Sequence, residues 1–147
     1  MCGEVDFPRT NKMVVFDHFR KAGDKLWDAS SIAPASYYEN ALRVLGDSQV
    51  AVCTDDPQWV RAQRVFENAT LSVGHDPGFD MALLAAATKA VVIGTGTFGW
   101  WGAYLSTAKR KFFYAIVYDG DDLLGYRESD YIPYGMPSPG EWVALYD

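Results

Sequence analysis

Short apolar runs alternate with helix-like stretches from residue 13 to residue 118. Met13 to Phe16 (MVVF) is β-branched and aromatic, and Pro34 to Leu45 sets Tyr37, Ala41, Val44 and Leu45 at helical spacing, which predicts a strand followed by a helix. Gln49 to Thr54 (QVAVCT) is a second strand. The Asp55-Asp56-Pro57 after it is a helix start, with Asp at the N-cap, Pro in the first turn, and Trp59, Ala62 and Phe66 along one face. Ala69 to Val73 predicts a third strand, and Gly74-His75-Asp76-Pro77-Gly78 is turn chemistry. Phe79 to Ala87 (FDMALLAAA) is rich in helix formers, with Asp80 near the positive end of the helix dipole. Ala90 to Ile93 is a fourth strand, the glycine turn Gly94-Thr95-Gly96-Thr97-Phe98-Gly99 opens a helix reaching Leu105, and Phe112 to Tyr118 (FFYAIVY) is a fifth strand.

Strands and helices joined by short links, with several strands apolar throughout, predict a parallel sheet covered on both faces. The expected fold is α/β, a doubly wound, Rossmann-like sheet in a single domain over 1–147. Residues 120–147 turn to Gly, Pro, Asp and aromatics (YGMPSPGEW), which predicts an irregular C-terminal tail. Parallel sheets bind ligands outside the carboxyl ends of their strands. The unusual residues fall there: His18 to Asp24, Thr54 to Asp56, Gly74 to Asp76, the glycine turn, and Asp119 to Asp122, all expected on one rim.

Composition narrows the function. A length of 147 residues with 49% hydrophobic content supports one real core. The net charge of −6 argues against a sequence-independent grip on nucleic acid, so an anionic ligand must be held locally. Cys2 and Cys53 make no disulfide framework and no Cys/His spacing suggests zinc; Cys53 reads as a buried strand residue. No apolar run of ~18 residues and no basic, apolar leader occurs, so no transmembrane segment or address is read in this chain. An aromatic content of 15% suits a packed core plus a site that stacks rings.

The glycine turn is the strongest chemical signal. Glycines let a ligand approach the backbone, and the free N–H groups of the next helix favour a phosphate or pyrophosphate. Gly94 to Gly99 matches G-x-G-x-x-G, and Asp119 lies ~20 residues on, where a ribose-binding acid would stand. That pattern fits an NAD(P)- or FAD-binding domain, although the unit is the fourth of the chain instead of the first. Arg20 and Lys21 are a basic pair at a strand end, suited to a phosphate clamp or to an exposed turn balanced by Asp17 or Asp24. His18 and His75 are loop histidines at the rim, either bases or solvated side chains. Asp55 and Asp56 are oxygen donors, but helix capping accounts for at least one of them. No metal site is assigned. A non-catalytic α/β binding module whose glycines are only turns stays open beside these readings.

Taken together, four blocks resemble the C-terminal, donor-binding half of the α-1,2-fucosyltransferases, glycosyltransferase family 11. His18-Phe19-Arg20-Lys21-Ala22-Gly23-Asp24 is similar to the family's H-x-R-R-G-D block, with Ala22 inserted and Lys21 for the second arginine. Ala51 to Trp59 (AVCTDDPQW) is similar to its S/T-D-D-x-x-W block, Phe79 to Leu84 to F-D-x-x-L-L/M, and Gly96 to Leu105 (GTFGWWGAYL) to S/G-T-F-x-W-W-x-A-Y-L. The resemblance implies half of a GT-B fold and metal-independent, inverting transfer of L-fucose from GDP-fucose to the 2-hydroxyl of a galactoside. It implies no resident cofactor, a nucleotide-sugar donor and a glycan acceptor ending in galactose. The compartment would be the Golgi for the eukaryotic type and the cytoplasm for the bacterial type. It further implies that Arg20 and Lys21 meet the pyrophosphate, that Asp80 reads the guanine edge, and that Gly96, Thr97 and Phe98 contact the nucleotide. By the same resemblance Arg20 would stabilise the leaving diphosphate, and His18 is a candidate for the base the transfer needs.

Overall fold

A computed structural model of the chain describes residues 11–19, 21–22, 25–26, 33–94, 96–114 and 140–145. Six strands form one parallel sheet: β1 (Met13–His18), β4 (Gln49–Thr54), β5 (Thr70–Ser72), β6 (Ala90–Ile93), β7 (Arg110–Tyr114) and β8 (Glu141–Leu145). Their spatial order is β5-β4-β1-β6-β7-β8. Two-residue strands β2 (Lys21–Ala22) and β3 (Lys25–Leu26) pair antiparallel in a separate ribbon after β1. The helices are α1 (Ala35–Leu45), α2 (Pro57–Ala62), α3 (Pro77–Ala85) and α4 (Thr97–Leu105). The expected α/β, doubly wound parallel sheet is the fold that forms.

Central β1 is buried along its whole length. Successive side chains of a strand point to opposite faces, so a strand covered on both sides must be apolar in both registers. Met13 and Val15 pack with Leu84, Val91, Ile93 and Ala103 beneath α3 and α4. Val14 and Phe16 pack with Tyr37, Tyr38, Ala41, Val60 and Phe66 beneath α1 and α2. Full burial of Phe16 or Leu84 contributes about 2–3 kcal/mol each. The chain winds outward from β1 through β4 to β5 on one face, then returns by α3 to place β6 on the other side of β1. Strand order therefore reverses between β1 and β6.

Several elements depart from the sequence reading for identifiable reasons. Helix α2 stops at Ala62, which is exposed; Val60 is its buried residue, and a 3-10 turn over Arg64–Phe66 brings Phe66 into the core. Helix α3 starts two residues early, because Asp76 caps Phe79 N at 3.1 Å and Pro77 opens the first turn. The end of the irregular tail is corrected: Glu141–Leu145 is the sixth strand, paired with β7 from Arg110↔Glu141 to Tyr114↔Leu145. Gly140, at φ +88°, lets the chain pass against the Ala108 carbonyl, and Glu141 N donates to Lys109 O at 2.9 Å. Trp142 and Ala144 then join one core layer and Val143 and Leu145 the other. Residues 120–139 lie outside the described residues.

Candidate functional site

The carboxyl ends of β1, β4, β5 and β6 open on a cleft of about 530 Å³ at the reversal of strand order. Asp17 and Phe19 enter it from β1, Thr54 and Asp55 from β4, Gly74 and His75 from the turn after β5, and Gly94, Gly96, Thr97 and Phe98 from the turn after β6. The rim expected from the sequence is thus assembled from four of its five segments. The fifth, Asp119 to Asp122, lies outside the described residues.

One wall is the N-terminus of α4. Gly96 is the N-cap and supplies no capping side chain, and no other described residue caps the helix, so its first-turn N–H groups are offered to the cleft. The helix sits close on β1 because Gly99 has no side chain. A Cβ there would stand 1.8 Å from Asp17 Oδ2 and 3.2 Å from Ile93 Cβ. Asp17 is only 3% exposed, and its Oδ2 accepts from Gly94 N at 3.3 Å. Burial pushes its carboxyl up to about 7, against the lowering effect of Gly94 N–H, and the nearby Asp55 and Asp80 add to the rise. Behind it, Tyr38 Oη donates to Asp17 O at 3.2 Å and Tyr37 Oη to Ile93 O at 2.7 Å, tying both strand ends to α1.

The facing wall is built on α3 and the turn before it. Asp80 is buried and accepts from Ser72 Oγ at 2.8 Å, a bond that orients its carboxylate toward the cleft. Burial raises the pKa of this carboxyl, and the Ser72 hydroxyl opposes the rise. His75 lies over the Phe79 ring, with centroids 4.1 Å apart. Across the opening, Phe19 meets Phe98 edge to face at 5.3 Å. Cys53, the expected buried strand residue, is fully buried in β4, and burial pushes its thiol well above the usual range.

Of the residues singled out in the sequence, Asp80, Gly96, Thr97 and Phe98 line this cleft together. Arg20 lies outside the described residues, and Lys21 is described only in its backbone, in β2. Because β1 and β6 are adjacent and parallel, the exit leading to Arg20 and the glycine turn share one sheet edge. His18 is corrected: it ends β1 instead of lying in a loop, and it is 1% exposed. Its ring stacks on Trp59 at 4.3 Å, and Nδ1 shares a 2.8 Å hydrogen bond with Thr54 Oγ1. A general base must reach the hydroxyl it activates. Thr54 Oγ1, bonded to the His18 ring, also accepts from Asp56 N at 2.9 Å. Asp56 takes the capping role by accepting from Trp59 N at 3.1 Å. Sequence reading treated Asp17 only as an exposed partner for the basic pair, and the structure buries it at the centre of the site. Its place directly after the apolar run MVVF carried no local signal of that burial.

Fold and cleft define a doubly wound α/β domain with an open cleft at its topological switch point. The family model described as glycosyl transferase family 11 matches residues 21–131, about three quarters of the chain, and the chain belongs to that family. It is 26% identical over 150 residues to a galactoside 2-alpha-L-fucosyltransferase of Caenorhabditis elegans, covering 90% of this chain and 41% of that protein. It is 32% identical over 90 residues to the O-antigen biosynthesis glycosyltransferase WbnK of Escherichia coli, covering 54% of this chain and 29% of that protein. The chain therefore spans less than half the length of either relative. No solved structure matches it. No helix among the described residues is long and apolar enough to cross a membrane.

Proposed function

We propose that this domain binds the nucleotide of GDP-fucose in the switch-point cleft, as the donor side of a galactoside α-1,2-fucosyltransferase. The observation that supports this most is the pairing of two chemically different walls. The uncapped N-terminus of α4 suits a diphosphate, and the Asp80 carboxylate, oriented by Ser72, suits the N–H edge of a guanine. In transfer, an acceptor hydroxyl attacks C1 of the fucose, the bond from C1 to the phosphate oxygen breaks, and the electron pair leaves with GDP. The first-turn N–H groups of α4, with Arg20 and Lys21, stabilise that charge. The acceptor hydroxyl gives up its proton to a general base as the new bond forms.

The dinucleotide reading meets a positional objection. Dinucleotide folds place the glycine fingerprint after the first strand, whereas β1 here exits into Phe19 and the fingerprint follows β6. Isothermal titration is expected to show binding of GDP and GDP-fucose and no response to NAD. The reverse result would replace the fucosyl reading with the dinucleotide one. Arg20→Ala is expected to weaken GDP by roughly 1.5–3 kcal/mol and to leave guanosine nearly unchanged, as loss of a charge-assisted bond to phosphate requires. Equal weakening of both ligands, or of neither, removes Arg20 from the phosphate site.

A further inference from the structure

We infer that Asp17 is a ligand-coupled acid of this cleft: a diphosphate at the glycine turn binds together with one solvent proton, which Asp17 Oδ1 holds and donates to the anion. The inference rests on the proposed nucleotide site for the class of its ligand.

The geometry comes first. The Asp17 carboxyl lies against the first turn of α4, where Gly99 leaves room for it and Gly94 N–H occupies Oδ2. Oδ1 is buried with no hydrogen-bond partner among the described residues, although Asp17, 3% exposed, lines the cleft. A buried polar atom left unpaired is costly unless something outside the fold completes it. As a carboxylate, Oδ1 would take a donor; as an acid, it offers one.

The surroundings choose between these. From β4, Asp17 faces Cys53, with Asp55 beyond the strand end; from α3 it faces Asp80; from α1 it receives the Tyr38 hydroxyl on its carbonyl. β6 and the first turn of α4 bring Gly94 and Gly99, which carry no charge, and His75 stands in the turn before α3. His18 follows Asp17 with its side chain on the opposite layer, toward Trp59. Arg20 and Lys21 come next in sequence, with side chains outside the described residues. Three carboxyl groups already share the cleft, so a diphosphate entering beside a charged Asp17 would meet further like charge. A protonated Asp17 removes that repulsion and turns its unpaired oxygen into a donor. Burial holds the free carboxyl at about 7, so its proton is gained or lost near neutrality.

GDP-fucose is the appropriate probe, because its diphosphate is esterified at both ends and does not itself titrate between pH 6 and 8. Its association constant, measured by isothermal titration, is expected to fall about tenfold from pH 6 to pH 8. Buffers of different ionisation enthalpy should show uptake approaching one proton per ligand at pH 8. Asp17→Asn should bind with nearly the pH 6 affinity throughout, and guanosine should be indifferent to pH. In the unmutated chain, the carboxyl carbon resonance of Asp17 at pH 7.5 should move to its protonated position when ligand is added, a readout independent of whether the variant folds. A pH-independent affinity overturns the inference. So does a dependence that persists in Asp17→Asn, which would assign it to another group, or equal weakening of GDP-fucose and guanosine by that variant. ADP-ribose separates the two levels. If it binds with proton uptake and GDP-fucose does not bind, the fucosyl reading fails and the role of Asp17 stands; if neither binds, both fall.

Discussion

Asp17→Asn is expected to make the unliganded protein markedly more stable at pH 8 and to confer no such advantage at pH 4. The unfolded carboxyl ionises near its ordinary value of 3.8, whereas burial holds the folded one to about 7. Between those values the folded state keeps a proton that the unfolded state has lost. Stability from this group is therefore fully present below about 3.8, declines as pH rises, and is lost once pH passes the folded pKa of about 7. Three pH units correspond to a penalty on the order of 4 kcal/mol at pH 8, a large share of a domain's total stability. Asparagine is never ionised, its carbonyl can still accept from Gly94 N, and it escapes that penalty. Urea unfolding followed by tryptophan fluorescence at pH 4, 6 and 8 checks this. Parallel stability profiles for the two proteins would show that Asp17 does not titrate with folding. A destabilising carboxylate beside the cleft would fit the proposed ligand site, since functional sites are where local conflicts with folding are expected to survive.

The layered fold was legible because the parallel sheet makes its strands apolar on both faces. MVVF, QVAVCT and AVVI stand out as runs, and Asp55-Asp56-Pro57 marks a helix start through its own capping chemistry, whereas Asp76-Pro77 does the same work inside a segment that reads as a turn. The sixth strand was illegible for the same physical reason at smaller scale. WVAL is only four apolar residues, set beside Gly140 and a proline-rich run, and nothing local shows that β7 awaits a partner. At the site, the glycine turn and Asp80 could be found because backbone chemistry or a family block marks them. Asp17 and His18 could not be placed, since a polar pair after an apolar run looks like a strand leaving the core. Long-range pairing to β4 at Asp17↔Cys53 and His18↔Thr54 keeps both inside, on opposite layers. The burial of Asp17 then depends on Gly99, some eighty residues away in sequence, which no local pattern connects to it.

Gly99→Ala is expected to destabilise the fold by about 2–3 kcal/mol and to weaken GDP binding at least tenfold, opposite in sign to what the local sequence suggests. Alanine in a helix is favoured over glycine by about 0.5–1 kcal/mol, so an unconstrained position would gain from the change. Here the new methyl would lie 1.8 Å from Asp17 Oδ2, 2.6 Å from Asp17 Cγ and 3.2 Å from Ile93 Cβ. The carboxyl is short and held by Gly94 N, so relief requires either expelling it or lifting α4 from the sheet. Lifting α4 also disturbs α3, because Gly102 packs directly on Leu84, where an added Cβ would stand 2.7 Å from Leu84 Cβ. Either route moves the first-turn N–H groups that face the cleft. A double-mutant cycle isolates the cause: Asp17→Ala removes the opposing carboxyl, so the double variant should be more stable than the sum of the single losses predicts by 1 kcal/mol or more, about the scale of contacting pairs. Additive losses, or a gain in stability from Gly99→Ala alone, would show that the helix is not seated on Asp17 and that the two walls of the cleft are set independently.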